Sequence, residues 1–345
     1  MKIIIASTIV PFIEGGGTFI VDWLEQKLRE YGHQVDVLKI PFSSYYKVML
    51  PQMLALRRYH LEDQCDRLIC IRMPSYLIPH PNKYLWFIHH YREVYDLWET
   101  KLDYLPKDPE TYAIREYIKR ADDVAFAEAK KIYTNSKIVS RRLLDFNGVT
   151  STPLYPPIYD PTQFFCQSYG DYVYYTSRIC RPKRQHLAVE AMRYTRTPVK
   201  LKLSGKTEDP GYMQEIQQTI RRYHLEQKVE IIDRWISEKE KCGLFANCLS
   251  GVYIPYDEDS YGYPSLEAHE SCKAVISCLD SGGTDELIID GENGFLCQST
   301  PQSLAEKFDF MYENKERCEK MGMKGKDRLN ELGINWDTVI QRFTA

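Results

Sequence analysis

The feature that most constrains this chain is its opening. Residues 2–8 are a run dense in isoleucine, and a glycine cluster, Gly15, Gly16 and Gly17, follows. Residues 18–31 then place Phe19, Ile20, Trp23, Leu24 and Leu28 on one helical face; Gly32 stops the helix, and residues 35–38 form the next strand. A short apolar strand, a helix and a second strand make a βαβ unit, which implies a parallel sheet covered by helices. The glycine cluster is not the dinucleotide fingerprint, because G-x-G-x-x-G is absent. It reads either as a simple flexible turn or as backbone amides at a helix start, open to a phosphate or a reacting sugar.

The same rhythm continues. Strands are expected at 68–72, 83–88 and 131–136, with helices at 121–129 and from the Ser136 cap to 144. Residues 154–161 (LYPPIYDP) break the pattern and read as a linker. Strands are then expected at 172–175, 199–203, 229–232, 251–254 and 275–276, alternating with helices at 185–194, 212–223, 237–245 and from 266, and the tail from 303 is helical. A chain of 345 residues is long for one core. The expected fold class is α/β, with two Rossmann-like domains facing across a cleft. Residues 1–160 form the first domain and 161–325 the second, and a C-terminal helix, 326–345, returns to the first.

Composition narrows the function. A net charge of −3 argues against a dedicated nucleic-acid binder. No run reaches the roughly 18 apolar residues of a membrane span. The N-terminus has no small-residue cleavage site and reads as a first strand, so a cytoplasmic protein is expected. The 10 cysteines form no C-x-x-C pair or zinc spacing and read as reduced; no metal and no cofactor are expected. Residues 41–60 mix aromatic, aliphatic and basic side chains. They suit a helix packed on the sheet or, alternatively, one lying on an anionic membrane face.

Candidate site residues fall just beyond strand ends, where open α/β sheets bind ligands. In the first half these are His89 and His90. In the second they are Arg178 and Lys183, Gly205, Arg234 and Trp235, the stretch 259–267, and residues 282–286. Asp259 and Glu267 stand eight apart, with Gly262 and Pro264 between them. Two cations and several glycine amides suit a diphosphate. A carboxylate such as Glu267 suits paired ribose hydroxyls, and Trp235 or Ile236 could flank a base. Together they read as a nucleotide–sugar or nucleotide–diphosphate site.

On these residues the chain resembles glycosyltransferases of the GT-B fold, and family 4 in particular. The family's E-x₇-E motif, E-G-F-G-L-P-x-L-E-A, is matched by residues 259–268, DSYGYPSLEA, with Asp259 replacing the first Glu. The phosphate-binding pattern G-R-x-x-x-x-K-G is matched at Arg178 and Lys183, while Ser177 and Arg184 stand where the family has glycine. Residues 282–296, GGTDELIIDGENGFL, match a third motif, and Asn135-Ser136 and Tyr155-Pro156-Pro157 fall in the expected order.

The resemblance implies a retaining transfer of sugar from a nucleotide-diphosphate donor without a metal, in polysaccharide or glycoconjugate assembly. Arg178 and Lys183 would hold the diphosphate and stabilise the leaving group, and Glu267 would hold the ribose. Asp259 would touch the donor sugar beside Ser260, Tyr261, Gly262 and Tyr263, and His89 or His90 would face that sugar. The acceptor, a glycan or a lipid-linked hydroxyl, belongs to the first domain, and a lipid-linked one would place the protein at the inner face of a membrane. Two competing readings are a nucleotide-sugar epimerase on the same fold and a binding subunit with weakened catalysis, the latter prompted by Asp259.

Overall fold

The computed structural model describes residues 1–11, 16–101 and 103–345. They form two compact units, Met1–Pro156 with Ile334–Ala345, and Pro157–Gly333.

In the first unit β1 (Lys2–Ile9), α1 (Gly16–Glu30), β2 (Gln34–Pro41), α2 (Tyr46–Leu56), β3 (Arg67–Cys70), β4 (Lys83–Phe87), α3 (Pro109–Ala127), β5 (Lys131–Thr134), α4 (Lys137–Asn147) and β6 (Thr152–Pro153) follow in order. The strands pair in parallel in the order β2-β1-β3-β4-β5-β6. Ile3 and Ile5 of β1 pack with Leu24 and Leu28 on one face, while Ala6, Leu68 and Leu85 pack with Met49, Met53 and Ile118 on the other. Apolar layers on both faces explain why these strands read as nearly continuous hydrophobic runs.

The second unit holds β7 (Tyr172–Thr176), α5 (Gln185–Ala191), β8 (Lys200–Ser204), α6 (Pro210–Arg222), β9 (Val229–Ile232), α7 (Glu238–Asn247), β10 (Ser250–Val252), α8 (Tyr263–Glu270), β11 (Ala274–Cys278), β12 (Gly294–Cys297), α9 (Pro301–Glu313) and α10 (Lys315–Glu331). Its sheet, also parallel, runs β12-β11-β10-β7-β8-β9.

Three expected elements differ in extent. The helix expected at 121–129 is the end of the much longer α3, which starts where Asp108 accepts the Thr111 N–H and Pro109 occupies the first turn. Helix α8 starts at Tyr263 rather than 266, because Pro264 sits in its first turn instead of blocking it. The stretch 326–345 is not one helix. Helix α10 ends at Glu331, Gly333 turns the chain at φ 64°, and Asn335 caps α11 (Trp336–Thr344). Trp336, Val339, Ile340 and Phe343 of α11 are buried against the first sheet, with the Phe343 and Trp86 rings 5.3 Å apart.

Helix α2 buries Met49, Met53 and Leu56 and leaves Tyr45, Val48 and Leu54 at the surface, so residues 41–60 include a helix packed on the core. Among the described residues no helix is long and apolar enough to cross a membrane.

Candidate functional site

Ligands of open parallel sheets sit beyond the carboxyl ends of the strands, where successive connections turn to opposite sides. In the second unit that point lies between β7 and β10. From β7 the chain proceeds to β8 and β9 on one side, whereas β10, β11 and β12 lie on the other.

The loop after β7 carries Arg178 and Lys183. Arg178 Nη1 donates to both carboxylate oxygens of Glu208, at 2.8 and 2.9 Å. Burial works against this guanidinium's charge, but Glu208 more than offsets it and holds it above its usual range. Lys183 is the better enclosed cation, its side chain 12% exposed. Its Nζ donates to Tyr253 Oη at 2.9 Å and forms an ion pair with Glu258. The Tyr175 hydroxyl donates to the Lys183 carbonyl and pins the loop from below. Tyr253 follows β10 and is buried; burial and then the Glu258 carboxylate push its hydroxyl far above the usual range, so it stays protonated and lies 3.4 Å from Glu258 Oε2 as a donor.

Ser177 and Arg184 stand at the two positions where the family pattern has glycine. Ser177 takes an ordinary backbone conformation. Arg184 lies in the left-handed region at φ 53°, where a non-glycine residue is strained. Its buried guanidinium offsets that strain. It donates to the Ile254 and Pro255 carbonyls at 2.8 and 2.7 Å, to both Asp280 oxygens at 2.7 and 2.8 Å, and to Ser281 at 3.2 Å. Arg184 thus clamps the loop after β11 to the end of β10.

Gly205, after β8, has no room for a side chain, because a Cβ there would run into the Ser177 carbonyl. Gly262 takes φ 72° and ψ 138° at the start of α8, directly over the Tyr253 ring. Asp259 and Ser260 are half-buried on the loop before it, and Tyr261 is buried. Glu267, on the second turn of α8, is buried and accepts from Lys241 Nζ at 2.6 Å. Burial pushes the Glu267 carboxyl up. Burial pulls the Lys241 ammonium down, but Glu267 and Glu238 more than offset this and raise it. Arg234 and Trp235 follow the edge strand β9, two strands from β7, and are exposed, with Arg234 paired to Glu240 at 3.0 and 2.6 Å. The fold therefore gathers Arg178, Lys183, Gly205 and residues 257–267 at the switch point, with Arg234 and Trp235 beyond the end of the edge strand.

In the first unit the switch point is between β1 and β3. Gly15 lies outside the described residues. Gly16 opens α1, and a Cβ on Gly17 would stand 3.4 Å from the Arg72 side chain. Burial lowers the Arg72 guanidinium. The two histidines divide. His90 is buried among Phe87, Tyr95, Phe126 and Phe146, and its Nε2 donates to Asn147 Oδ1 at 2.8 Å. Burial pushes it down to about 4, so it is a neutral packing residue. His89 is half-buried, and its Nδ1 donates to the His90 carbonyl at 2.6 Å.

Sequence reasoning missed Glu258, Tyr253, Glu208, Lys241 and Arg72. None lies in a motif: only the pairing of strands and loops brings Glu258, Tyr253 and Glu208 to the cations, Lys241 to Glu267 and Arg72 to Gly17. Arg184 carried one signal, a large residue where the family pattern has glycine. Among the described residues no group of three His, Cys, Asp or Glu could hold a metal ion.

Comparison with known proteins fits this geometry. Residues 167–328, nearly the whole second unit, match the family described as glycosyl transferases group 1. The alpha-1,3/1,6-mannosyltransferase ALG2 of Dictyostelium discoideum is 32% identical over 146 residues, covering 41% of this chain and 34% of that protein. ALG2 of Mus musculus is 29% identical over 124 residues, covering 36% and 29%. The chain thus spans about a third of the length of these curated relatives. Two solved structures match nearly end to end. Sucrose-phosphate synthase of Thermosynechococcus elongatus has a TM-score of 0.78 at 17% identity, covering 98% of this chain and 96% of that one. Anabaena HepE, solved in complex with UDP, has a TM-score of 0.74 at 17% identity, covering 99% and 98%. The chain has the fold of the GT-B glycosyltransferases. The match to the glycosyl transferases group 1 family lies in its second unit.

Proposed function

We propose that the protein moves a sugar from a nucleotide-diphosphate donor to a hydroxyl acceptor with retention of configuration. The observation that carries this reading is the pair Arg178 and Lys183 at the β7/β10 switch point of a domain matched to glycosyl transferases. Both cations face the position a diphosphate takes in open α/β sheets, and fixed cations stabilise the charge that develops on a leaving phosphate. In this reading they meet that charge in place of a metal ion, and the leaving phosphate takes the acceptor proton. The Glu267 carboxylate, paired with Lys241, holds ribose hydroxyls. Asp259 and the amides of residues 260–263 hold the donor sugar.

UDP in the HepE structure supports a nucleoside diphosphate as the leaving group, and the mannosyltransferase relatives make mannose the first sugar to test. The first unit is assigned the acceptor. A lipid-linked acceptor accords with the exposed Tyr45, Val48 and Leu54 on and beside α2, next to Lys47 and Arg58; salt-sensitive binding to anionic vesicles is the check on that assignment. The test of the core reading is transfer by Lys183→Ala and Arg178→Ala. Each should lower kcat by roughly 10²-fold or more, and the product anomer read by NMR should match the donor. Full activity in both variants, or an inverted anomer, refutes it.

A further inference from the structure

The cation best placed for the diphosphate is already held by a carboxylate. Lys183 Nζ is paired with Glu258, the residue before the motif carboxylate Asp259. Glu258 has a fixed backbone and a movable side chain. Its N–H donates to the Ser281 carbonyl at 3.3 Å and its carbonyl accepts from Gly283 N at 3.1 Å. Gly282 lies against it so closely that no side chain fits there. The Glu258 side chain itself is 31% exposed, against 12% for Lys183. Rotation about its side-chain bonds therefore takes the carboxylate into solvent without moving the loop. Tyr253 Oη, 2.9 Å from Nζ, keeps the ammonium in place when that happens. Arg178 has the same arrangement with Glu208, but both of those side chains are more exposed, at 48% and 39%, so water and salt screen that pair more strongly.

We infer that Glu258 is a built-in competitor for the donor diphosphate, a carboxylate that occupies Lys183 in the resting site and sets donor affinity by having to be displaced. This rests on the donor-site reading above. The exchange swaps one anion for another on a fixed cation. Removing the Glu258 charge should therefore tighten binding, whereas removing a ligand-contacting or merely structural residue would weaken it. The sign of the effect separates these roles.

The test is calorimetric titration of the intact protein with UDP, GDP and inorganic pyrophosphate. Wild type, Glu258→Gln, Lys183→Ala and the double variant are compared. Glu258→Gln should tighten Kd for the nucleotide that binds by roughly tenfold, the scale of one partly buried charge pair. Lys183→Ala should weaken it, and in that background Glu258→Gln should change Kd by no more than about twofold, because the shared cation is gone. Glu258→Asp, too short to keep the same contact, should give an intermediate gain and stands in if the Gln variant is unstable. If Lys183→Ala weakens binding while Glu258→Gln leaves it unchanged or weaker, Glu258 is not a competitor and the donor site stands without it. If wild type binds none of the three probes, the diphosphate reading itself falls and takes this inference with it.

Discussion

Substituting Gly262 by alanine tests how the loop over the cation cluster is held. A Cβ at this position would stand 2.5 Å from Tyr253 Cζ and 2.8 Å from its Oη, about 1 Å inside the roughly 3.5 Å optimum for carbon contacts. The ring cannot withdraw, because Tyr253 is 3% exposed and its hydroxyl is bonded to Lys183. The backbone, at φ 72° and ψ 138°, is one an alanine adopts only under strain. Overpacking of this kind costs about 1–3 kcal/mol and the strained backbone about 1–3 kcal/mol, so Gly262→Ala should lose about 2–6 kcal/mol in urea unfolding. The alternative to unfolding is a lifted loop, which moves Asp259 and the first turn of α8. A displacement near 1 Å costs on the order of 10²-fold in rate, so transfer should fall by that factor. In a Tyr253→Ala background the clash disappears and only the backbone term of about 1–3 kcal/mol should remain. If Gly262→Ala unfolds within about 0.5 kcal/mol of wild type and transfers sugar at a comparable rate, this account of the loop is wrong.

The remaining predictions follow from the charges around the site and the core. Glu267→Ala leaves Lys241 with only Glu238 and should lose about 2–4 kcal/mol in addition to donor binding; Glu267→Gln, which keeps a hydrogen-bond acceptor, should lose less stability, and equal losses in urea titrations would argue against the pair. Arg184→Gly relieves a left-handed residue but deletes the clamp on Asp280 and the end of β10, so a net loss of about 2–4 kcal/mol is expected; a variant as stable as wild type refutes the clamp. His90, held down to about 4 by burial, is neutral when folded and takes up a proton at its ordinary value only when unfolded. Its contribution is therefore complete above about pH 6.5 and is lost as pH falls towards 4, by up to about 1.4 kcal/mol per pH unit. The slope of unfolding free energy against pH between 6.5 and 5 should flatten in His90→Phe, and an unchanged slope contradicts the assignment.

Much of the architecture was legible because its causes are local. The isoleucine run of β1, the amphipathic α1 and the glycine that ends it specify a βαβ opening without reference to anything distant. The motif cations Arg178 and Lys183 and the turn at Gly262 could be placed for the same reason: a strand end and a helix start dictate them. What was not legible depends on tertiary pairing. Glu258 meets Lys183 only because β10 lies beside β7, and Lys241 meets Glu267 only because α7 packs on α8. His89 and His90 are adjacent and equivalent in the sequence, yet one ring enters an aromatic cluster and the other does not. The helix expected from 266 starts at Tyr263, with Pro264 in its first turn, a position where its missing N–H has no helical partner to lose.

The central claim is that the second unit binds a nucleotide-diphosphate sugar through Arg178 and Lys183. The most direct measurement is the stability of the intact protein across a panel of UDP-, GDP-, ADP- and CMP-sugars. A true donor at about 100 times its Kd should stabilise the protein by about 2.7 kcal/mol, and Lys183→Ala should abolish that gain. No stabilisation by any member of the panel, or an equal gain in Lys183→Ala, contradicts the claim.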